Sequence, residues 1–189
     1  MLPENFKLLG LDIKIIHSER DADHDYYTSD YEKCEISIFT EYALERVKER
    51  LFSSLFFFAI HSHLKLNLDD DSYVNLERMI WAVFRDNPEL IKGEIPEKVR
   101  VLGLEYEMIE KVHLDSINAG GKMVFSDLQI HFTTNLNPKV KYVILWHEVI
   151  HEIIDLCDEK HDNEQNICGI ANVIGDMVFN NDMSWMGEK

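Results

Sequence analysis

A His-Glu-x-x-His pattern, His147-Glu148-Val149-Ile150-His151, is the stretch of this chain whose residue types and spacing most directly indicate chemistry. Residues four positions apart lie on the same face of a helix, so His147 and His151 can offer two imidazole nitrogens to one metal ion. Glu148 follows the first histidine and can act as a general base toward a water molecule without binding the ion itself. The pattern therefore predicts a zinc site and hydrolytic chemistry.

The sequence around the motif predicts the two helices that position it. The first helix begins at Asn137-Pro138, because Asn is a favoured N-cap and Pro is favoured at the first helical position. Both histidines fall on its apolar stripe, which we expect to face the core: Val140, Val143, Ile144, His147, Ile150, His151 and Ile154. Asp162-Asn163 caps the second helix, whose apolar face is Ile167, Ile170, Ala171, Ile174 and Val178.

The same order of elements occurs twice in the chain. Phe6 to Ile16 and Val99 to Ile109 each predict a strand, and a β-hairpin and two helices follow each of them. Leu9-Gly10-Leu11 and Leu102-Gly103-Leu104 match at a distance of 93 positions. We therefore predict an α+β fold of two tandem repeats, each a strand, a β-hairpin and two helices, with the HExxH helix in the second repeat.

The two repeats differ in their chemistry. The best candidate linker is Lys92-Gly93-Glu94-Ile95-Pro96, which divides the chain into residues 1–92 and 93–189. At a shift of 93 positions, the three motif residues fall opposite Ser54, Leu55 and Phe58, which provide no metal ligands. We therefore expect a degenerate first repeat without a metal motif, and a second repeat that carries the chemistry.

Charge restricts the class of partner. The 189 residues include 19 Lys and Arg against 35 Asp and Glu, which gives a formal charge of −16. Direct nucleic-acid binding requires clustered basic residues, so we do not expect it. A basic protein surface suits this charge, and the simpler alternative is an acidic surface that keeps the protein in solution.

The cysteines and the apolar runs of the sequence indicate where in the cell we expect the protein to be. Cys34, Cys157 and Cys168 show no CxxC spacing, so we expect reduced thiols and a cytoplasmic location. The N-terminus lacks the basic and apolar regions of a signal peptide. The most apolar run, Leu51 to Ile60, is too short to cross a bilayer, so we predict no membrane partner.

The second half resembles a known family in four segments: Lys98 to Tyr106, Ser126 to Ile130, Leu145 to His151, and Glu164 to Phe179. In these segments it is similar to the ImmA/IrrE-type zinc metallopeptidase-like proteins of Gram-positive bacteria and their phages, and the resemblance extends over roughly half of the chain. The resemblance implies that His147 and His151 bind zinc, that Glu148 is the general base, and that an acidic residue of the next helix is the third ligand. It also implies a cytosolic regulatory protein as substrate.

The third ligand is where this chain departs from the family, which is rich in Glu at the start of that helix. Here the helix begins Glu164-Gln165-Asn166-Ile167-Cys168, so Glu164 is the first candidate and Cys168, one turn later, is the second. Four further candidates follow His151 closely: Asp155, Asp158, His161 and Asp162. Hydrolysis also requires a donor for the oxyanion, and four residues are candidates: Tyr106, His131, Tyr142 and His161.

Three functions are consistent with these residues. The first is a zinc-dependent metallopeptidase-like protein, a metalloendopeptidase if activity is retained, that acts on or binds a cytosolic regulatory protein. The second is an acidic phage-type inhibitor that uses a decayed peptidase fold as a scaffold. The third is a structural zinc site closed by four ligands that include Cys168. The expected partner is a protein, either a substrate or a binding partner, and a homo-oligomer is possible.

Overall fold

The computed structural model describes residues 1–19, 27–61, 70–112, 120–157 and 163–187. It has an α+β fold in which each half contains a four-stranded mixed sheet followed by helices. This architecture confirms the predicted fold class and its two tandem repeats.

The described residues of the first half form four strands and three helices. The strands are β1 (Asn5–Leu8), β2 (Leu11–Ser18), β3 (Tyr27–Asp30) and β4 (Glu35–Phe39). The helices are α1 (Leu44–Ala59), α2 (Asp70–Asp86) and the short α3 (Pro88–Ile91). The sheet order is β1-β2-β4-β3, with β2 and β4 parallel and the other pairs antiparallel.

The second half repeats this plan. Its strands are β5 (Lys98–Val101), β6 (Leu104–Lys111), β7 (Gly121–Val124) and β8 (Gln129–Thr133), in the order β5-β6-β8-β7. Its helices are α4 (Pro138–Cys157) and α5 (Glu164–Asn180). Single 3-10 turns lie at Phe125–Asp127 and Ser184–Met186. Strand β7 is therefore an edge strand, as β3 is in the first half.

Strand register gives the correct alignment of the two halves. Lys14 pairs with Glu35, and the equivalent Glu107 pairs with Gln129, so the offset is 93 in β2 and 94 in β4. The shift of 93 that was applied to the motif residues was wrong, because the second half has one more residue between its second and third strands and the later elements are offset by 94. His147, Glu148 and His151 therefore correspond to Ser53, Ser54 and Phe57 rather than to Ser54, Leu55 and Phe58.

Each predicted first strand is in fact a hairpin. Leu9 and Gly10 have φ of 51° and 83°, and Leu102 and Gly103 have φ of 48° and 90°. Positive φ at both central residues is the geometry of the tight type I′ turn, which reverses the chain between β1 and β2 and between β5 and β6. Leucine seldom adopts this conformation, so the apolar run predicted an uninterrupted strand.

Helix α4 packs its fully buried face against the first half. The ring of Trp146 lies 4.7 Å from that of Phe84 on α2, and the Tyr142 hydroxyl donates a 2.7 Å hydrogen bond to the Leu90 carbonyl. Both α4 side chains are 0% exposed. This contact fixes the rotation of α4 and leaves its opposite side, which carries the two histidines, available for a site. None of the helices in the described part of the chain has the length and apolarity to span a bilayer.

Candidate metal centre

Three potential metal ligands converge where α4 faces the start of α5. The Nε2 atoms of His147 and His151 lie 3.1 Å apart. The Glu164 carboxylate is 3.3 Å from His147 Nε2 through Oε2, and 3.2 Å from His151 Nε2 through Oε1. Among the described residues, this is the group of His, Cys, Asp and Glu side chains whose ligand atoms lie close enough to share an ion.

The dimensions of this triangle suit a zinc ion. Zinc binds imidazole nitrogen and carboxylate oxygen at about 2.0–2.2 Å, and two ligands of a tetrahedral ion then lie about 3.3 Å apart. Two histidines and one glutamate are also a ligand set of catalytic zinc sites, in which the fourth position remains open. The side chains of His147 and His151 are 20% and 21% exposed, so solvent reaches this position.

The cap of α5 places Glu164 in the triangle. Asn163 is the N-cap, and its side chain accepts hydrogen bonds from the backbone N–H groups of Gln165 at 2.9 Å and Asn166 at 3.4 Å. The cap predicted at Asp162-Asn163 is therefore formed by Asn163, and Asp162 lies outside the described residues. Because the cap fixes the first turn of α5, Glu164 meets α4 at the level of the histidine pair.

Burial favours the neutral form of His147. It lowers the pKa of this side chain, the neighbouring His151 lowers it further, and Glu164 acts in the opposite direction. A neutral imidazole keeps a lone pair for a metal ion. The environment therefore favours the protonation state that a ligand needs.

Glu148 lies beside the triangle, facing the edge of the second sheet. Its Oε2 accepts a 2.8 Å hydrogen bond from the backbone N–H of Met123 on β7. The side chain is 9% exposed, and burial raises its pKa, although the bond from Met123 and the charge of His151 oppose this effect. Its position outside the ligand triangle agrees with the role of general base that the motif predicts.

Two glycines shape the wall next to Glu148. A Cβ atom on Gly120 would lie 2.6 Å from Ile144 Cδ1 on α4. A Cβ atom on Gly121 would collide with the Ile144 side chain and lie 3.3 Å from Glu148 Oε1. The start of β7 can therefore approach α4 this closely only because glycine occupies both positions.

Two of the remaining ligand candidates, Cys168 and Asp155, do not belong to the triangle. Cys168 Sγ lies 3.5 Å from Nδ1 of His147. Glu164 faces the other ring nitrogen, Nε2. Burial and the charge of Glu164 raise the pKa of this thiol, which keeps it protonated near neutral pH. Asp155 is exposed and outside the group, while Asp158, His161 and Asp162 lie outside the described residues.

Three of the four oxyanion donors suggested by the sequence have other partners. The Tyr106 hydroxyl donates to Glu152 Oε1 at 2.9 Å in a buried pair, and Tyr142 donates to the Leu90 carbonyl. His131 Nε2 lies 2.9 Å from Gln129 Oε1. His161 is outside the described residues, so the three described candidates are all turned to partners other than the triangle.

The predicted orientation of the apolar stripe of α4 is confirmed for Ile150 and Ile154, which are buried, and was wrong for its other members. Val140 is 49% exposed, and Val143, Ile144 and both histidines are partly exposed rather than core-facing. With α5, this stripe forms a groove of about 430 Å³ whose apolar lining includes Val140, Val143, Ile144, Gly175 and Phe179. Helix α4 is apolar on nearly every side, so periodicity could not distinguish the face against the first half from the face on the groove.

The equivalent place in the first half is filled. Ser53, the counterpart of His147, donates a hydrogen bond to the buried carboxylate of Glu77 on α2. Tyr27 takes the place of Gly121, and it contributes with Ser53, Glu77 and Arg50 to one electrostatic cluster. Sequence reasoning missed Glu77, although its position between the apolar residues Leu76 and Ile80 signalled an acid on a buried helix face.

No protein-family model, curated protein or solved structure matches the chain.

Proposed function

We propose that this protein is a zinc-dependent metallopeptidase-like protein in which His147, His151 and Glu164 hold the ion and Glu148 is the general base. The observation that carries the proposal is the ligand triangle, with edges of 3.1, 3.2 and 3.3 Å. Two of its members and the base come from one HExxH helix, and the resemblance to ImmA/IrrE-type proteins supports the same assignment. Zinc in this position would polarise a substrate carbonyl and lower the pKa of water to about 7.

Glu148 would carry the proton. In this role it accepts a proton from the attacking water and returns it to the leaving amine of the cleaved peptide bond. Its raised pKa suits both steps, because a base whose pKa lies closer to neutrality also releases the proton readily. The N–H of Met123 holds the carboxylate beside the triangle between these steps.

The surroundings of the triangle favour a protein segment as substrate. Strand β7 is an edge strand, and Gly120 and Gly121 leave its start without side chains. An extended peptide could lie there, because an edge strand can pair with an added strand. The groove between α4 and α5 lies one helical turn from the triangle and would receive an apolar side chain.

The charge of −16 favours a second function, a binding protein or inhibitor that covers a basic surface of a cytosolic regulatory protein. In this case the peptidase-like fold is only a scaffold. Glu148→Gln separates the two functions, because the enzyme would lose activity while retaining zinc and the binding protein would be unaffected. Charge reversals across the acidic first half should have the opposite effects.

Elemental analysis of the purified full chain tests the metal site. We expect one zinc ion per chain and its loss in His147→Ala, with Asp155→Asn as a matched control that retains the ion. A chain that binds no zinc from a buffered excess would overturn the proposal. Substitution with Co²⁺ separates a catalytic from a structural site: we expect no thiolate absorption, whereas a thiolate band would assign Cys168 as a ligand.

A further inference from the structure

We propose that Tyr106 and Glu152 are positioning residues of the candidate metal centre: their buried hydrogen bond holds α4 on the second sheet and so keeps Glu148 beside the ligand triangle. The consequence for metal affinity rests on the proposed zinc site. The placement of Glu148 concerns the metal-free protein, so it can be tested independently.

Two carboxylates on one face of α4 bind two different strands of this sheet. Glu148 and Glu152 are four residues apart and therefore lie on the same side of the helix, one turn from each other. Glu148 accepts a 2.8 Å hydrogen bond from the Met123 N–H on β7. Glu152 accepts a 2.9 Å hydrogen bond from the Tyr106 hydroxyl on β6. Contacts at two successive turns restrict both the rotation of α4 and its shift along its own axis.

The Tyr106–Glu152 pair is almost completely removed from solvent. Tyr106 is 1% exposed and Glu152 is 5% exposed. Burial, followed by the hydrogen bond to Glu152 and its charge, raises the pKa of Tyr106, so the hydroxyl keeps its proton and remains the donor. Because a buried carboxylate that lacks a donor is unfavourable, the pair favours the placement of α4 on β6 in which the two side chains meet.

The first half has no such pair at the equivalent positions. Tyr106 corresponds to Ile13 at an offset of 93. Glu152 corresponds to Phe58 at the offset of 94 that relates α4 to α1. Ile13 and Phe58 are both buried and apolar. Replacement of a buried polar pair by apolar residues is often neutral or stabilising, so packing alone does not account for the polar pair in the half that carries the HExxH helix.

A displacement of α4 would disturb the ligand triangle. His147 and His151 are on α4, whereas Glu164 is on α5, so movement of α4 changes the distances between these side chains. Zinc tolerates only small departures from ligand distances of about 2.0–2.2 Å. Loss of groups that support metal ligands typically weakens binding about 10–100-fold, and a pair that acts through the helix should lie at the lower end, about 10-fold.

The first test is the hydrogen exchange rate of the Met123 amide in the metal-free full chain. In Tyr106→Phe we expect this amide to exchange about 10-fold faster, because Glu148 is no longer held against it. Ser53→Ala is the matched control, since it also removes a hydroxyl donor from a buried glutamate, Glu77, but in the first half. An equal acceleration in both variants would overturn the inference, because lower stability alone would then explain it.

The second test places the residues of the first half in the second. In the double variant Tyr106→Ile with Glu152→Phe, we expect the free energy of unfolding in urea to equal or exceed that of the wild type. The Met123 amide should still exchange faster, and the zinc Kd, measured by competition with a chelating dye, should rise about 10-fold. A purely structural role predicts no change in either quantity, and that result would overturn the inference.

Failure of this inference and failure of the zinc site are distinguishable. If the chain binds no zinc while Tyr106→Phe, but not Ser53→Ala, accelerates exchange of the Met123 amide, only the zinc site is overturned. If zinc binds and the Met123 amide exchanges at the wild-type rate in Tyr106→Phe, only the positioning role is overturned.

Discussion

Asn87 and Asn181 stand at equivalent places after α2 and α5, and each binds the backbone of the first strand of the other half. Asn87 accepts from Arg100 N and donates to Arg100 O, both at 2.7 Å. Asn181 accepts from Lys7 N at 2.6 Å and donates to Lys7 O at 2.7 Å. This reciprocity is the pattern of a two-fold symmetric dimer interface, here formed within one chain.

The Asn87 contact should be important for stability. Asn87 is only 5% exposed, so Asn87→Ala would leave backbone groups of Arg100 without their partner, at a cost of about 1–3 kcal/mol. We expect urea denaturation to show this loss, and a smaller loss in Asn181→Ala because Asn181 is less buried. Asn180→Ala, at an exposed neighbouring position, is the control. An equal loss of unfolding free energy in Asn180→Ala would show that the Asn87 and Asn181 contacts have no special stabilising role.

Zinc should stabilise the folded protein. At a free zinc concentration of about a hundred times the Kd, the free energy of unfolding should rise by about 2.7 kcal/mol, and chelation should reverse the gain. Glu164→Gln should lose most of this gain because it removes one ligand, whereas Asp155→Asn should retain it. If Glu164→Gln gained as much as the wild type, Glu164 would be excluded as a ligand.

Gly121→Ala should disturb the general base and the wall beside it. The added methyl group would press on Ile144 and approach Glu148 Oε1, and we expect a stability loss of about 1–3 kcal/mol from this overpacking. Ile144→Ala in the same chain should restore part of it, as a double-mutant cycle would measure. Gly187→Ala is the control, since a Cβ atom there has contacts of 3.6 Å or more.

Glu77 should make stability depend on pH. Burial raises the pKa of this carboxyl from 4.5 to about 7, although Ser53 and Arg50 oppose the shift. A raised pKa in the folded state means that folding retains a proton, so stability should fall as pH rises from about 4.5 to 7, by up to about 3 kcal/mol.

Urea denaturation at several pH values would measure this slope. Glu77→Gln should flatten the curve and gain stability relative to the wild type above pH 7, whereas Glu97→Gln, at an exposed position, should leave the slope unchanged. A slope that persists in Glu77→Gln would assign the pH dependence to other groups.

Local sequence rules predicted the two helices that carry the candidate site and the pairing of its two histidines. The cap at Asn163 follows from residue type, and the pairing of His147 with His151 follows from helical spacing. Glu164 was selected by resemblance, and it lies within 3.3 Å of both histidines.

What the sequence did not predict depends on tertiary contacts. The turn at Leu9-Gly10 places a leucine at positive φ, which local preference disfavours. The true partner of Nδ1 of His147 required the relative rotation of α4 and α5, and the partner of Glu77 required the packing of α2 on α1. Such contacts join residues that are distant in sequence, and no local pattern encodes them.

Tyr27 occupies the place that Gly121 has in the second half, and this difference shows what fusion of the two halves into one chain allows. A homodimer with two identical clefts separates at low concentration, and a change in one cleft changes both. Two halves on one chain remain at a high effective concentration regardless of dilution. The first half could therefore fill its cleft with side chains and serve only as a packing partner, while the second half kept residues suited to chemistry.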